Sequence, residues 1–267
     1  MVTQAFALPH PPLAVPRVGK GEEAAIQTTL DAFDEVASRV AALAPDTVIF
    51  ITPHARARAE YCLISPSSGA SGTLARFGAP DVRFDALYNE ELAREIAARA
   101  AEVGVAVAMG GGEDGPLDHG VTVPMWFINR RYTGYKAVRI AQSALSPREH
   151  YRLGQVIAEA ARIAGGNTAL VGSGDLSHKL LRSGPYGFAP EGPVFDKLIT
   201  EAFASGNLRA LLDIPEDTVE RAAECGLRSF AVIAGCFGGK ARGELLSYEG
   251  PFGVGYAVAS FAPADAE

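Results

Sequence analysis

Asp46-Thr47-Val48-Ile49-Phe50-Ile51-Thr52-Pro53-His54 is the stretch that decides the fold. Its four consecutive apolar residues, 48–51, predict a short strand covered on both faces by helices, because a strand with one wet face would alternate polar and apolar positions. Just before it, Ile26, Leu30, Phe33, Val36, Val40 and Leu43 recur every three or four residues, which predicts an amphipathic helix over 21–44. A helix feeding a buried strand that ends in Pro-His is the start of an α/β domain with chemistry at a strand end.

The same alternation continues along the chain. Residues 61–65 suggest a strand beside 46–52, Leu92, Ile96 and Ala100 mark a helix over 89–103, and 104–109 reads as a strand opening into the loop Gly110-Gly111-Gly112. Residues 121–128 and 136–145 look extended. Ser146-Pro147-Arg148-Glu149 has the capping-box pattern and starts a helix running to about 164. Residues 167–173 form another buried strand, followed by helices over 193–205, 207–213 and 216–237 and a closing strand pair, 244–248 with 255–262. No repeat, low-complexity segment or linker divides the chain, so one α/β domain is the economical reading.

Composition narrows the function. The chain has 267 residues, 48% of them hydrophobic, enough for a large core. Its formal net charge of −7, without a long basic run, argues against nucleic acid as a partner. Three unclustered cysteines, Cys62, Cys225 and Cys236, fit a reducing cytoplasm better than a disulfide framework or a thiolate zinc site. Neither a signal peptide nor a membrane-spanning run is read in the sequence.

Four of the five histidines fall at turn-like junctions: His10 in Pro9-His10-Pro11-Pro12, His54 in Thr52-Pro53-His54, His119 in Leu117-Asp118-His119-Gly120, and His178 in Gly174-Asp175-Leu176-Ser177-His178. The carboxyl edge of an open α/β sheet is where such loops converge, so His10 and His54 are candidate metal ligands. Glu224 is the candidate anionic ligand, with an i,i+4 ion pair to Arg228 as its structural alternative, and Cys225 is a possible soft ligand. His178, with Asp175 and Ser177 nearby, is the candidate general base. His119 is a candidate contact for a bound oxyanion, and His150 reads as a solvent-facing helix residue. Neither a dinucleotide nor a P-loop motif occurs, and Ser173 and Ser177 lack the G-x-S-x-G setting.

Taken in order, the Pro-His-Pro-Pro, Thr-Pro-His, 117–124, 174–178 and 223–226 motifs resemble the LigB-type class III extradiol ring-cleavage dioxygenases over nearly the whole of residues 1–267. The resemblance implies an αβα sandwich around a central mixed β-sheet. It implies non-haem Fe(II) on His10, His54 and Glu224, His178 as acid–base residue, and His119 as a substrate or oxygen contact, with a small aromatic diol and O2 as reactants. The stretches 224–229 and 250–256 are similar to the branch containing Memo-like and AMMECR1-associated proteins, in which a cysteine stands near the third ligand. That makes Cys225 a competitor of Glu224 and Zn or Cu alternatives to iron. A homo-oligomer or a small partner subunit is also compatible with the resemblance.

Overall fold

The computed structural model describes residues 1–110 and 115–264, so Gly111 and Gly112 of the expected glycine loop lie outside the described residues. In chain order the elements are β1 (Val2–Leu8), α1 (Pro16–Gly19), α2 (Gln27–Leu43), β2 (Thr47–Thr52), β3 (Cys62–Ile64), β4 (Gly69–Leu74), β5 (Ala79–Leu87), α3 (Glu90–Glu102) and β6 (Val107–Met109). They continue with α4 (His119–Asn129), β7 (Lys136–Ala141), α5 (Pro147–Ala164), β8 (Thr168–Ser173), α6 (Glu191–Ser205), α7 (Glu216–Ala222), α8 (Leu227–Cys236), β9 (Ala241–Glu249) and β10 (Tyr256–Pro263).

Eight strands form one sheet in the order β6-β3-β7-β2-β8-β1-β10-β9. β7, β2, β8 and β1 run parallel, while β3 is antiparallel to β7 and β10 to β1. The expected mixed sheet is therefore present, with one change of neighbour. The 61–65 strand lies beyond β7 instead of beside β2, since parallel β7 occupies the place next to it.

The run of four apolar residues in β2 is explained by the two cores. Val48 and Phe50 point to the side covered by α2 and α4, where Phe33 and Phe127 stack with ring centres 4.2 Å apart. Ile49 and Ile51 point to the opposite side, against residues of α3, α5, α6 and α8. This is an αβα sandwich. One half of the capping box appears: Ser146 Oγ accepts a hydrogen bond from the Glu149 amide at the start of α5, while the Glu149 carboxylate turns to Arg152.

Two expectations are corrected. Residues 121–128 are not extended but lie in α4, despite β-branched residues and the internal Pro124. Nearly every residue from Gly120 to Ile128 is buried, and for a segment closed in on all sides tertiary packing outweighs local preference. The expected helix over 216–237 is two helices. Ala223, with φ 54°, ends α7 in the left-handed region, and α8 begins only at Leu227. The break brings residues 224–226 to the sheet edge: Gly174 and Gly226 approach so closely that a Cβ on Gly174 would lie 2.1 Å from the Gly226 Cα.

α5 and α8 meet through Gly154 and Gly235. A Cβ at Gly154 would sit 2.1 Å from Val232 O, and one at Gly235 only 1.9 Å from Tyr151 O. Gly154→Val is expected to force these helices apart and cost about 1–3 kcal/mol of stability, measured as a lower midpoint in urea.

Candidate metal centre

Because β2, β8 and β1 are adjacent and parallel, their carboxyl ends share one edge and deliver three segments to one place. β1 continues into His10, β2 into His54, and β8 into Asp175 and His178. His10 is fixed most firmly. Its amide donates to Asp175 Oδ1 (2.9 Å), and its Nδ1 pairs with Ser173 Oγ (2.8 Å), which leaves Nε2 facing the cleft.

His10 Nε2 lies 2.9 Å from His54 Nε2. His119, the first residue of α4, stacks on His54 with ring centres 4.1 Å apart and meets His10 edge-on at 5.2 Å. One ring nitrogen from each of the three lies within 4.8 Å of the others. A second group with ligand geometry joins His10, Asp175 and Cys225, with Cys225 Sγ 3.6 Å from His10 Nε2. The thiol also accepts from the Asp175 amide at 3.2 Å.

Protonation of all three rings is disfavoured, which suits binding of a metal. Burial holds the pKa of His10 well below the ordinary imidazole value, with the neighbouring His54 and His178 acting in the same sense. Burial, then the proximity of His10 and His54, lowers His119 to about 3. His54 is the most open of the three, yet the desolvated side of its ring still lowers it against the opposing pull of Asp118 and Asp175. Three adjacent nitrogen lone pairs with suppressed protonation suit a divalent transition metal.

Glu224 is not brought into either group. Its Oε2 accepts from the Leu227 amide at 2.6 Å, satisfying a free N–H at the start of α8, where the helix dipole favours a carboxylate. Arg228, the alternative partner, donates its Nε to Leu145 O (3.0 Å). The carboxylate expected in the metal shell is thus a helix cap. The break between α7 and α8 carries Cys225, not Glu224, towards His10.

His178 stands apart from the three-histidine group, with its ring stacked on Tyr186 at 5.1 Å and its amide donating to Ala222 O. Burial lowers its pKa while the Asp175 carboxylate raises it, so the ring has a proton acceptor's character without being held charged. It faces a cavity of about 580 Å³ that also holds His10, His54 and His119 and has apolar walls that include Leu13, Phe77, Phe252 and Val254. Phe252 and Val254 come from the turn that leads into β10. Phe77 comes from the turn of the β4–β5 hairpin, a contribution that sequence periodicity did not reveal.

His150 is corrected as well: it is 1% exposed, not solvent-facing. Its Nδ1 donates to Ser146 O one helical turn back, and its Nε2 accepts from the Ser143 amide and lies 3.5 Å from Cys62 Sγ. The ring ties the start of α5 to the end of β7 and takes no part in the cleft.

The comparisons with known proteins agree with this architecture. Residues 4–259 match the family described as the catalytic LigB subunit of aromatic ring-opening dioxygenase. The chain belongs to the LigB family. It is 41% identical over 261 residues to protein CA_C1420 of Clostridium acetobutylicum, an alignment that covers 95% of this LigB-family chain and 56% of that protein. The chain therefore spans little more than half the length of that relative. The crystal structure of the uncharacterized protein JW3007 from Escherichia coli K12 superposes with a TM-score of 0.64 over 97% of this chain and 99% of the other, at 14% identity, a likeness of fold. Among the described residues no helix is long and apolar enough to cross a membrane.

Burial lowers His150 to about 4 from an ordinary value of 6.5. Since the folded value is the lower one, its contribution to stability is whole above pH 6.5 and is lost as the pH falls towards 4. The stability advantage of the parent protein over His150→Asn is expected to shrink by roughly 2–3 kcal/mol between pH 7 and pH 4, read from urea titrations at each pH.

Proposed function

We propose that this LigB-family protein is a non-haem Fe(II)-dependent extradiol dioxygenase that opens the ring of a small catecholic substrate with O2. The observation that carries this reading is the convergence of His10, His54 and His119 at the inner wall of an apolar cavity that also contains His178. His10, His54 and His119 would hold the metal, a set of neutral imidazoles in place of the two histidines and Glu224 read from the sequence. When bound, iron supplies the redox chemistry that couples dioxygen to opening of a diol's ring.

The remaining roles belong to the chain. The walls formed by Leu13, Phe77, Phe252 and Val254 seat an aromatic ring and exclude water from it. His178, on the loop after β8, accepts a proton from a diol hydroxyl at its ring nitrogen and returns it to an oxygen of the opened product. Asp175 steadies the protonated ring of His178 electrostatically, and its Oδ1 holds the His10 backbone. The stacked Tyr186 keeps the His178 plane turned to the cavity. A deprotonated diol is an anion, which complements a cation held by uncharged ligands.

A second reading rests on Cys225. Its sulfur lies 3.6 Å from His10 Nε2, close enough to share a metal with His10 and Asp175, and thiolate with imidazole suits zinc or copper. In that case the protein handles metal or redox equivalents without cleaving rings. Burial raises the Cys225 pKa well above that of a free thiol, which favours the neutral thiol and the iron reading until a metal displaces the proton.

Anaerobic loading with Fe(II), addition of a catechol panel and admission of oxygen is expected to give oxygen uptake with a coloured ring-fission product. His178→Ala should lower kcat by about 10²–10⁴-fold with the metal retained, as expected for loss of a general base. His10→Ala and His54→Ala should lose the metal itself, measured by elemental analysis. Glu224→Gln should keep both metal and activity and lose about 1 kcal/mol of stability. A protein that is inert with every catechol, and whose copper or zinc disappears in Cys225→Ser, establishes the second reading instead.

A further inference from the structure

Against the His178 loop, α6 places a buried acid that has no part in the roles given to the cleft. Asp196 is 1% exposed and does not line the cavity. Its Oδ1 accepts from the Ser177 amide at 2.8 Å, and its Oδ2 accepts from the Tyr248 hydroxyl of β9 at 2.7 Å. We propose that Asp196 is a positioning residue for His178, which it holds through the adjacent Ser177 amide. That His178 is the base rests on the dioxygenase reading; the grip of Asp196 on the loop does not.

A carboxylate is costly to remove from water, and neither of its two donors here is a cation. Burial pushes its pKa up to about 7, although both hydrogen bonds favour the charged form. What the acid gains is a charge-assisted bond to main chain, roughly twice as strong as a neutral one.

Ser177 is fastened at every polar atom. Its amide goes to Asp196, its carbonyl accepts from the Gly255 amide at 2.8 Å, and its Oγ donates to Ala222 O and accepts from the Lys179 amide, both at 3.0 Å. Among these partners only Asp196 contributes a side chain, so it is the one fastening that a substitution removes. Gly255 rests on the same acid, since a Cβ there would lie 2.1 Å from Asp196 Oδ2. Asp196 therefore sits where the segment leading to His178 crosses the turn that supplies Phe252 and Val254 to the cavity wall. Leu176 N to Gly255 O, at 2.8 Å, completes that crossing. His178 is one residue beyond the grip, with its ring stacked on Tyr186. A displaced Ser177 amide reaches it as a turn of the ring plane, and misplacing a catalytic group by about 1 Å can lower a rate 10²-fold.

The test separates position from fold. Asp196→Asn keeps an oxygen for the Ser177 amide, whereas Asp196→Leu, branched at the same carbon, does not. NMR of the full chain carrying isotopically labelled histidine, recorded before metal is added, resolves the rings of its five histidines, assigned by single substitutions. In Asp196→Leu the His178 signals are expected to move towards those of an unstacked ring while the His150 signals stay in place, and Asp196→Asn should keep both close to the parent. With Fe(II) and a catechol, Asp196→Leu should lower kcat by up to roughly 10²-fold at unchanged KM and metal content, and Asp196→Asn should restore most of it. Should the leucine variant fail to fold, Gly255→Ala, whose methyl group displaces the same carboxylate, is expected to move the same His178 signals. A folded leucine variant, or in its absence a Gly255→Ala protein, with parent-like His178 signals overturns the proposal, as does an asparagine variant that behaves like leucine. If the parent opens no ring, the dioxygenase reading fails and the histidine signals alone decide the role of Asp196. If the ring opens and His178 does not respond, that reading stands and the positioning role falls.

Discussion

β2, β8 and β1 lie side by side and parallel, so three chain segments that are distant in sequence leave the sheet at the same edge, and every feature of the site depends on that alignment. Parallel strands require crossovers, and the crossovers are the helices whose packing closes both faces. With both faces covered, the strands' apolar runs are fully buried, and the polar groups are left to the loops at the strand ends. Ser173 at the last position of β8 and Asp175 two residues on then fix the His10 side chain and backbone from the neighbouring strand. The loop of β1 that carries His10 is thus braced by the loop of β8, which is how a sheet edge holds a side chain in a fixed geometry.

Electrostatically the centre is a pool of suppressed positive charge. His54 disfavours protonation of His10, His10 and His54 together disfavour that of His119, and burial pushes all three in the same direction. Asp175, itself raised by burial, lies within 3.9 Å of His10 Nε2 and offsets part of that repulsion. An arrangement of this kind is costly if the rings must carry protons and becomes favourable when one divalent cation replaces them.

Much of the fold was legible in the sequence because local and global signals agreed. The apolar run of β2, the 3.6-residue period of α2 and the capping box of α5 each name an element that tertiary packing also favours. Where they disagreed, packing prevailed: α4 contains Val121, Val123 and Pro124 yet is helical because its burial leaves its backbone groups no better partners. The site was legible in part. His10 and His54 read as a pair because Pro-His junctions mark strand ends, whereas His119 reads as a loop contact for an oxyanion, substrate or oxygen and stands instead at the start of a helix beside them. Glu224 reads as the anionic ligand, with an ion pair to Arg228 as the alternative, and its capping of the Leu227 amide is not foreseen because the sequence reads as one helix where there are two. Only the unforeseen turn at Ala223 decides which side chain of the pair faces His10.

The contact between Gly174 and Gly226 has a mechanical meaning. Backbone resting on backbone, with no side chain between, leaves no compliant layer to absorb displacement. The loop that carries Asp175 and His178 and the turn that carries Glu224 and Cys225 must therefore shift as one rigid piece. The spacing between the His178 ring and the Cys225 thiol is thereby set by main chain, reinforced where the Asp175 amide donates to the Cys225 sulfur and the His178 amide to Ala222 O.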